Sequence, residues 1–442
     1  MRRGQIRGMA GFLTVWAGQL VSLVGSGMTR FALTIWAWEI TGEATALALV
    51  GFFSFAPMMI LSPLAGALVD RWNRKLTMML SDLAAGLSTI AVFALYLSGS
   101  LQIWHLYVAV AFSGAFEAFQ FPAYRASMTM MIPKRHYARA TALVQLAGFG
   151  STILAPIAAA ALIGFIGIGG IMTIDIVTFV AAILLLIAVV VPQPARSEEG
   201  SASRGSLWQE SLFGFRYIFA RPSLLGLQSL LLVLNLSTTV GMVLLAPMIL
   251  ARTGGDSLVL GSVESILGIG GVIGGILFSL WGGPKRLIHG ALLGIVASSL
   301  FGYFLLGVGR GWLVWSIAAA AGGAFQPMLN GCLSAIWQKK VPADLQGRVF
   351  AVRRMIAELG RPFAMLAAGP LADRILEPGM AAGGALSGIF GPLFGTGPGA
   401  GMAVLIGLGG IVSASVALVG YLIPIVRNVE DLLPDQEHAA AD

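Results

Sequence analysis

Glu117, Glu264 and Glu358 are carboxylates set in long apolar runs, and Arg30 and Arg361 are guanidiniums placed the same way. An ionised group near the centre of a bilayer costs roughly 3 kcal/mol or more, so each needs a partner or a task. A carboxyl partly withdrawn from water holds a proton more readily and releases it when its surroundings change. Glu117 lies about 13 residues, or roughly 20 Å, into its helix, close to the midplane, and is the first candidate proton carrier. A permanently neutral, hydrogen-bonded structural glutamate is the alternative. Glu264, in the outer half of its own run, is the second candidate. Arg30 can pair with an acid or with an anionic part of a substrate, or it can snorkel from a helix end. Arg354, Glu358 and Arg361 follow spacings of four and three, so they share a helical face and suit a local ion cluster. Asp82 and Asp175 stand nearer the starts of their runs, where caps and dipole partners are expected, and Arg125 is expected to snorkel.

The elements that must carry these groups follow from composition. Of 442 residues, 57% are hydrophobic and only 11% charged, too little polar surface to cover the apolar atoms in water. The solvent is lipid, and apolar runs of 18 or more residues each cross it as a helix that satisfies its own backbone. Chain length predicts roughly twelve crossings. The net charge of +7 does not mark a nucleic-acid surface. With the crossings placed, nearly all Lys and Arg outside the spans fall on one side, and only Arg252, Arg310 and Arg374 on the other. This bias places both termini in the cytoplasm. Cys332 is a lone cysteine inside a span, so neither a disulfide nor redox chemistry is indicated. The four histidines are scattered, and no metal or nucleophile constellation is present, so neither an enzyme nor a cofactor is expected.

The polar stretch Pro192 to Gly205 divides the chain nearly in half. The expected organisation is an N-terminal six-helix bundle over 1–191, a cytoplasmic linker over 192–221, a C-terminal six-helix bundle over 222–426 and a cytoplasmic tail over 427–442. Within the linker, Ser206 and Gln209 fit a capping box, and Trp208, Leu212, Phe215 and Phe219 share a face, which predicts an interfacial helix. The halves resemble each other at a common offset of 209: Gly114 to Gln326 pairs Gly114-Ala115-Phe116-Glu117 with Gly323-Ala324-Phe325-Gln326, while Pro133 pairs with Pro342 and Arg139 with Arg348. Two parallel repeats imply a pseudo-twofold axis along the membrane normal, with the solute site near the midplane. The Gly- and Pro-rich stretch from Glu377 to Gly399 reads as an outer loop lying on the membrane interface, with a lid as the alternative.

The decapeptide Gly66-Ala67-Leu68-Val69-Asp70-Arg71-Trp72-Asn73-Arg74-Lys75 resembles the loop signature of the major facilitator superfamily between its second and third helices. Asn73 replaces the second glycine of that signature and is expected to tolerate the same left-handed turn. The resemblance implies a gating loop of Gly66, Asp70, Arg71 and Arg74, in which Asp70 engages the start of the eleventh helix near Gly347 and Arg348 in the outward-facing state. A helix N-terminus favours such an acid. The bases of this loop also serve as topogenic charges.

Ser151-x-x-x-Ala155-Pro156-x-x-Ala159-Ala160 is similar to a relaxed antiporter signature, with Pro156 bending the fifth helix. Together with Phe121-Pro122-Ala123-Tyr124-Arg125-Ala126 and Pro133-Lys134, these features resemble the macrolide-efflux and enterobactin-exporter branch. That branch implies an all-α integral membrane fold of twelve transmembrane helices in two six-helix bundles, in a bacterial inner membrane. It also implies export of a bulky amphipathic solute, drug-like, macrolide-like or siderophore-like, by proton antiport with alternating access. The expected partners are lipid, a small-molecule substrate and the proton, without nucleic acid, and the resemblance implies a monomer. A lipid or lysolipid translocator of the same fold and a nontransporting scaffold are the alternatives. An ATP-driven pump is not supported, since no phosphate-binding G-x-x-x-x-G-K-[ST] loop occurs. Asp70→Asn is expected to impair transport while expression and membrane insertion stay normal. Unchanged transport at normal expression refutes the gating role of Asp70.

Overall fold

The computed structural model describes residues 6–69, 72–192, 214–342 and 345–433. These are helical apart from turns, short connections and one parallel bridge between Ile6 and Val189. Eight helical stretches are long and apolar enough to cross a membrane. The expected interfacial helix and Arg71, with Asp70, fall on positions outside the described residues, save that 214–219 are helical.

The chain divides into two units, Met1–Arg196 with Thr253–Ser265, and Ser197–Arg252 with Ile266–Asp442. The first holds α1 (Gly8–Thr41), α2 (Ala44–Val69), α3 (Arg74–Leu97) and α4 (Ile103–Met131). A helical stretch Tyr137–Ala188 follows, broken at Gly167 into α5 (137–166) and α6 (168–188). Gly167 has φ 65° and ψ 178°, a conformation that only a residue without a Cβ adopts at little cost. The break therefore lies at Gly167, eleven positions beyond Pro156, where the loop between two spans is reduced to one glycine.

The second unit contains α7 (Pro222–Thr253) up to Arg252, the later part of α8 (Ser257–Trp281), α9 (Leu287–Val308) and α10 (Trp312–Lys340). It continues with α11 (346–371), α12 (Ser387–Phe394), α13 (Ala400–Leu422) and the short α14 (Pro424–Arg427) and α15 (Val429–Leu432). Helix α11 is interrupted at Leu359. Pro362 explains the interruption, because it offers no N–H to the Glu358 carbonyl and crowds it.

Each unit has its own apolar core. Phe12, Met78, Ile132, Leu186 and Val189 close the first, and Leu224, Ile288, Leu292, Cys332 and Trp337 the second. Large apolar side chains also face outward: Phe165 is 88% exposed and Leu280 81%. Such a surface suits lipid rather than water.

The internal repeat is visible in local geometry. Pro133 accepts from the His136 N–H at 2.9 Å, and Pro342, 209 residues later, accepts from the Leu345 N–H at 3.0 Å. A Cβ on Gly114 would lie 2.2 Å from the Ser54 carbonyl oxygen of α2, and one on Gly323 would lie 2.2 Å from the Leu267 carbonyl oxygen of α8. Both paired glycines thus let one helix press on the backbone of another.

In the stretch between Glu377 and Gly399, α12 exposes Ile389 and Leu393 while Phe394 is buried. Arg252 donates to the Phe394 and Gly309 carbonyls, each at 2.6 Å, and Arg310 donates to Pro392 at 3.0 Å. The carboxylate of Glu377 accepts from the Gly399 N–H at 3.0 Å and the Met402 N–H at 2.9 Å, capping α13. Two cations and one acid therefore fasten this stretch to its own unit.

Gly114→Val and Gly323→Val are each expected to destabilise the protein by about 1–3 kcal/mol, the range for overpacking against immobile neighbours. The check is melting of detergent-purified protein. Wild-type melting of both variants refutes the close approach.

Candidate functional site

The first unit carries two polar networks on α1 and α3, one above the other. At the lower, Asp82 of α3 accepts from Gln19 Nε2 of α1 at 2.9 Å and from Gln120 Nε2 of α4 at 2.7 Å. At the upper, Asp175 of α6 accepts from Ser26 of α1 at 2.9 Å and Thr89 of α3 at 3.0 Å. Gln19 and Ser26 are seven residues apart, as are Asp82 and Thr89, which separates the networks by about 10 Å along parallel helices. Gly25 makes the upper network possible. A Cβ there would lie 2.3 Å from Thr178 Oγ1 and 3.2 Å from the Asp175 Cα, so its absence lets α1 and α6 touch.

Asp175 is 2% exposed and lies well inside α6. It is not the helix-start cap expected of it, because its carboxylate is turned toward hydroxyls on two other helices. Asp82 departs in the same way, bridging α1 and α4 through amides instead of capping α3. That cap belongs to Asn73, whose side chain accepts from the Leu76 N–H at 3.1 Å. Asn73 has φ −69°, so it does not replace glycine in a left-handed turn. It contributes a hydrogen-bond acceptor that glycine lacks.

Arg30 follows Thr29 on α1, and Asp175 and Glu264 lie within electrostatic range of it, though neither forms a described ion pair with it. Glu264 belongs to the stretch 253–265 that packs with the first unit. There, Ser265 donates to the Ile153 carbonyl of α5 at 2.7 Å, and a Cβ on Gly261 would meet the Pro156 carbonyl oxygen and the Ala160 Cβ at 2.7 Å each. Facing α1, Ser151 donates to the Leu23 carbonyl at 2.8 Å, and a Cβ on Gly27 would meet that of Ala155 at 2.7 Å. The small residues of the antiporter-like pattern are thus the packing surfaces of α5.

Glu117 is exposed on α4 and makes no hydrogen bond or ion pair with a described residue. Glu358 and Arg361 form an ion pair at 2.9 Å in the second unit. Arg354 is exposed and does not join the expected three-membered cluster. Arg125 stacks over the Phe121 ring at 4.5 Å, as a snorkelling cation does. Gly66 lies within α2. Arg74 donates to the Ala126 carbonyl at 3.0 Å, and Lys75 donates to Ile187 and Val189 at 2.9 and 2.7 Å. These loop bases therefore bind helix-terminal carbonyls of α4 and α6 in addition to setting topology. Among the described residues no cluster suited to a metal ion occurs.

Sequence reasoning reached Arg30 and Glu264 but passed over Asp82 and Asp175. A readable signal was present: Gln19, Ser26, Thr29 and Arg30 form a polar stripe at helical spacing on an otherwise apolar α1.

The Major Facilitator Superfamily model matches residues 15–365, and the chain belongs to that family of membrane transporters. It is a multi-pass transporter of small molecules, not an enzyme. It is 28% identical over 378 residues to macrolide efflux protein A of Streptococcus pyogenes, covering 82% of this chain and 90% of that protein. It is 25% identical over 374 residues to the multidrug efflux pump Tap of Mycolicibacterium fortuitum, covering 82% and 89%. In fold it is similar to a bacterial homologue of the human lysosomal transporter Spinster in an inward-facing, unoccupied conformation, with TM-score 0.69, 15% identity and coverage of 98% and 100%.

Replacing both donors to Asp175, as Ser26→Ala with Thr89→Val, is expected to cost about 1 kcal/mol per lost hydrogen bond. Thermal melting of the double variant beside wild type measures this. An unchanged midpoint argues against the upper network.

Proposed function

We propose that this transporter exports a bulky amphipathic solute from the cytoplasm of a bacterium by proton antiport. In this reading it is a monomer of the inner membrane with both termini cytoplasmic. The observation that carries the proposal is that two acids, Asp175 and Glu264, lie within electrostatic range of one cation, Arg30, without a described ion pair to it. With both acids ionised the group bears one net negative charge, which a low-dielectric surrounding disfavours. One bound proton neutralises it, so the group takes up a single proton when dry and releases it when water or a second cation reaches it. Glu264, whose carboxyl has no hydrogen bond to a described residue whereas Asp175 is held by Ser26 and Thr89, is assigned the exchangeable proton. The efflux names of relatives covering most of the chain support the outward direction.

The test uses inside-out proteoliposomes with an acidic lumen and a macrolide as solute. Uptake above that of protein-free vesicles is expected to depend on the pH gradient. Glu264→Gln is expected to reduce gradient-driven uptake at least tenfold while sparing solute exchange at equal pH. Uptake indifferent to the gradient, or a variant that keeps wild-type coupling, overturns proton antiport through this group.

A further inference from the structure

The lower network differs from the upper in having no cation. Asp82 is held by Gln19 and Gln120, and no lysine or arginine among the described residues acts on it. The Gln120 amide is turned so that its Nε2 donates to Asp82 at 2.7 Å and to Gln19 Oε1 at 3.3 Å. Its Oε1 is sealed from solvent and has no hydrogen-bond partner. The amide donors are thus directed inward at the carboxylate. What the cluster still offers is acceptors: the free lone pairs of Asp82, the orphaned Gln120 Oε1 and part of Gln19 Oε1. An unmet buried acceptor is destabilising, and an uncompensated carboxylate more so. A group that supplies both N–H donors and positive charge removes both penalties. Glu117 stands one turn from Gln120 on α4, exposed, and adds a second negative charge to that helix. Trp72 and Phe119 stack at 5.9 Å, and Phe119 precedes Gln120 on α4.

We propose that Asp82, Gln19 and Gln120 form a subsite for the protonated amine of an amphipathic solute. The ammonium donates one N–H to Asp82 and another to Gln120 Oε1, while the apolar body of the solute lies along the neighbouring aromatic surface. Carboxylate- and phosphate-bearing solutes meet like charge here. The proposal rests on the reading that the chain moves an amphipathic solute, but it assigns substrate recognition to acids other than Asp175 and Glu264.

Equilibrium binding to the full-length, detergent-purified protein at constant pH tests it, with radiolabelled propranolol, a lipophilic secondary amine, and its neutral N-acetyl derivative as probes. Wild type is expected to bind propranolol saturably and more tightly than the derivative. Asp82→Asn is expected to weaken propranolol binding at least tenfold and leave the neutral probe within twofold; Asp82→Glu recovers much of the loss. Gln120→Met, which keeps the side-chain length, is expected to weaken propranolol several-fold and gives a second measurement should Asp82→Asn fail to fold. Absence of saturable propranolol binding, equal loss of both probes, or wild-type affinity in Asp82→Asn and Gln120→Met overturns the subsite. Because no gradient is imposed, a failure of proton antiport leaves this result standing.

Discussion

Hydrocarbon neither accepts nor donates a hydrogen bond, so a polar group carried into it must find its partner within the chain. The described contacts follow from that constraint. On α7, Gln228 and Asn235 donate to the Arg353 and Ala357 carbonyls of α11, each at 2.9 Å, beside the break that Pro362 imposes on that helix. Lys75 and Arg74 bind carbonyls at the ends of α6 and α4. In the second unit, Lys340 donates to the Glu430 and Leu433 carbonyls while Glu430 caps α9 through the Ile288 N–H. A membrane protein with 11% charge has few such groups, and most of those described at helix ends are consumed in holding those ends.

The same constraint sets apart the groups in the middle of the first unit. Asp175 is partnered by hydroxyls, which can donate to a carboxylate or accept from a carboxylic acid by rotating, so its surroundings suit both protonation states. Asp82 is partnered by amide N–H groups, which only donate. Two carboxylates, one on α3 and one on α6, thus have different partners: amides from α1 and α4 for Asp82, hydroxyls from α1 and α3 for Asp175. This contrast underlies the separation of proton handling from solute binding.

Close helix approach is the second requirement, and glycine meets it at paired positions. Gly114 and Gly323 stand at equivalent places in the two halves and press on carbonyls of equivalent helices, so the sequence repeat corresponds to a repeat of packing. Gly25 has no such role in symmetry; it brings α6 against α1 where Asp175 needs Ser26. Packing without steric bulk is what lets small residues serve as membrane-helix interfaces.

The helical, lipid-solvated class was legible in composition, and the two halves in the pairing of Pro133 with Pro342, because both depend on properties that act locally along the chain. The family was legible in the loop around Asp70 for the same reason. Arg30 and Glu264 were legible as isolated charges. The assignments that misread the chain were the helix-start roles given to Asp82 and Asp175 and the glycine-like turn given to Asn73, since a side chain's partner depends on which face it occupies and which helix lies opposite. Sequence alone determined the solvent, the helices and the repeat, through hydropathy and backbone preference summed over many residues. Only the tertiary structure decided which acids lie within electrostatic range of Arg30 and which is left with an unmet acceptor, because hydrogen bonds act over about 3 Å between residues up to 149 positions apart.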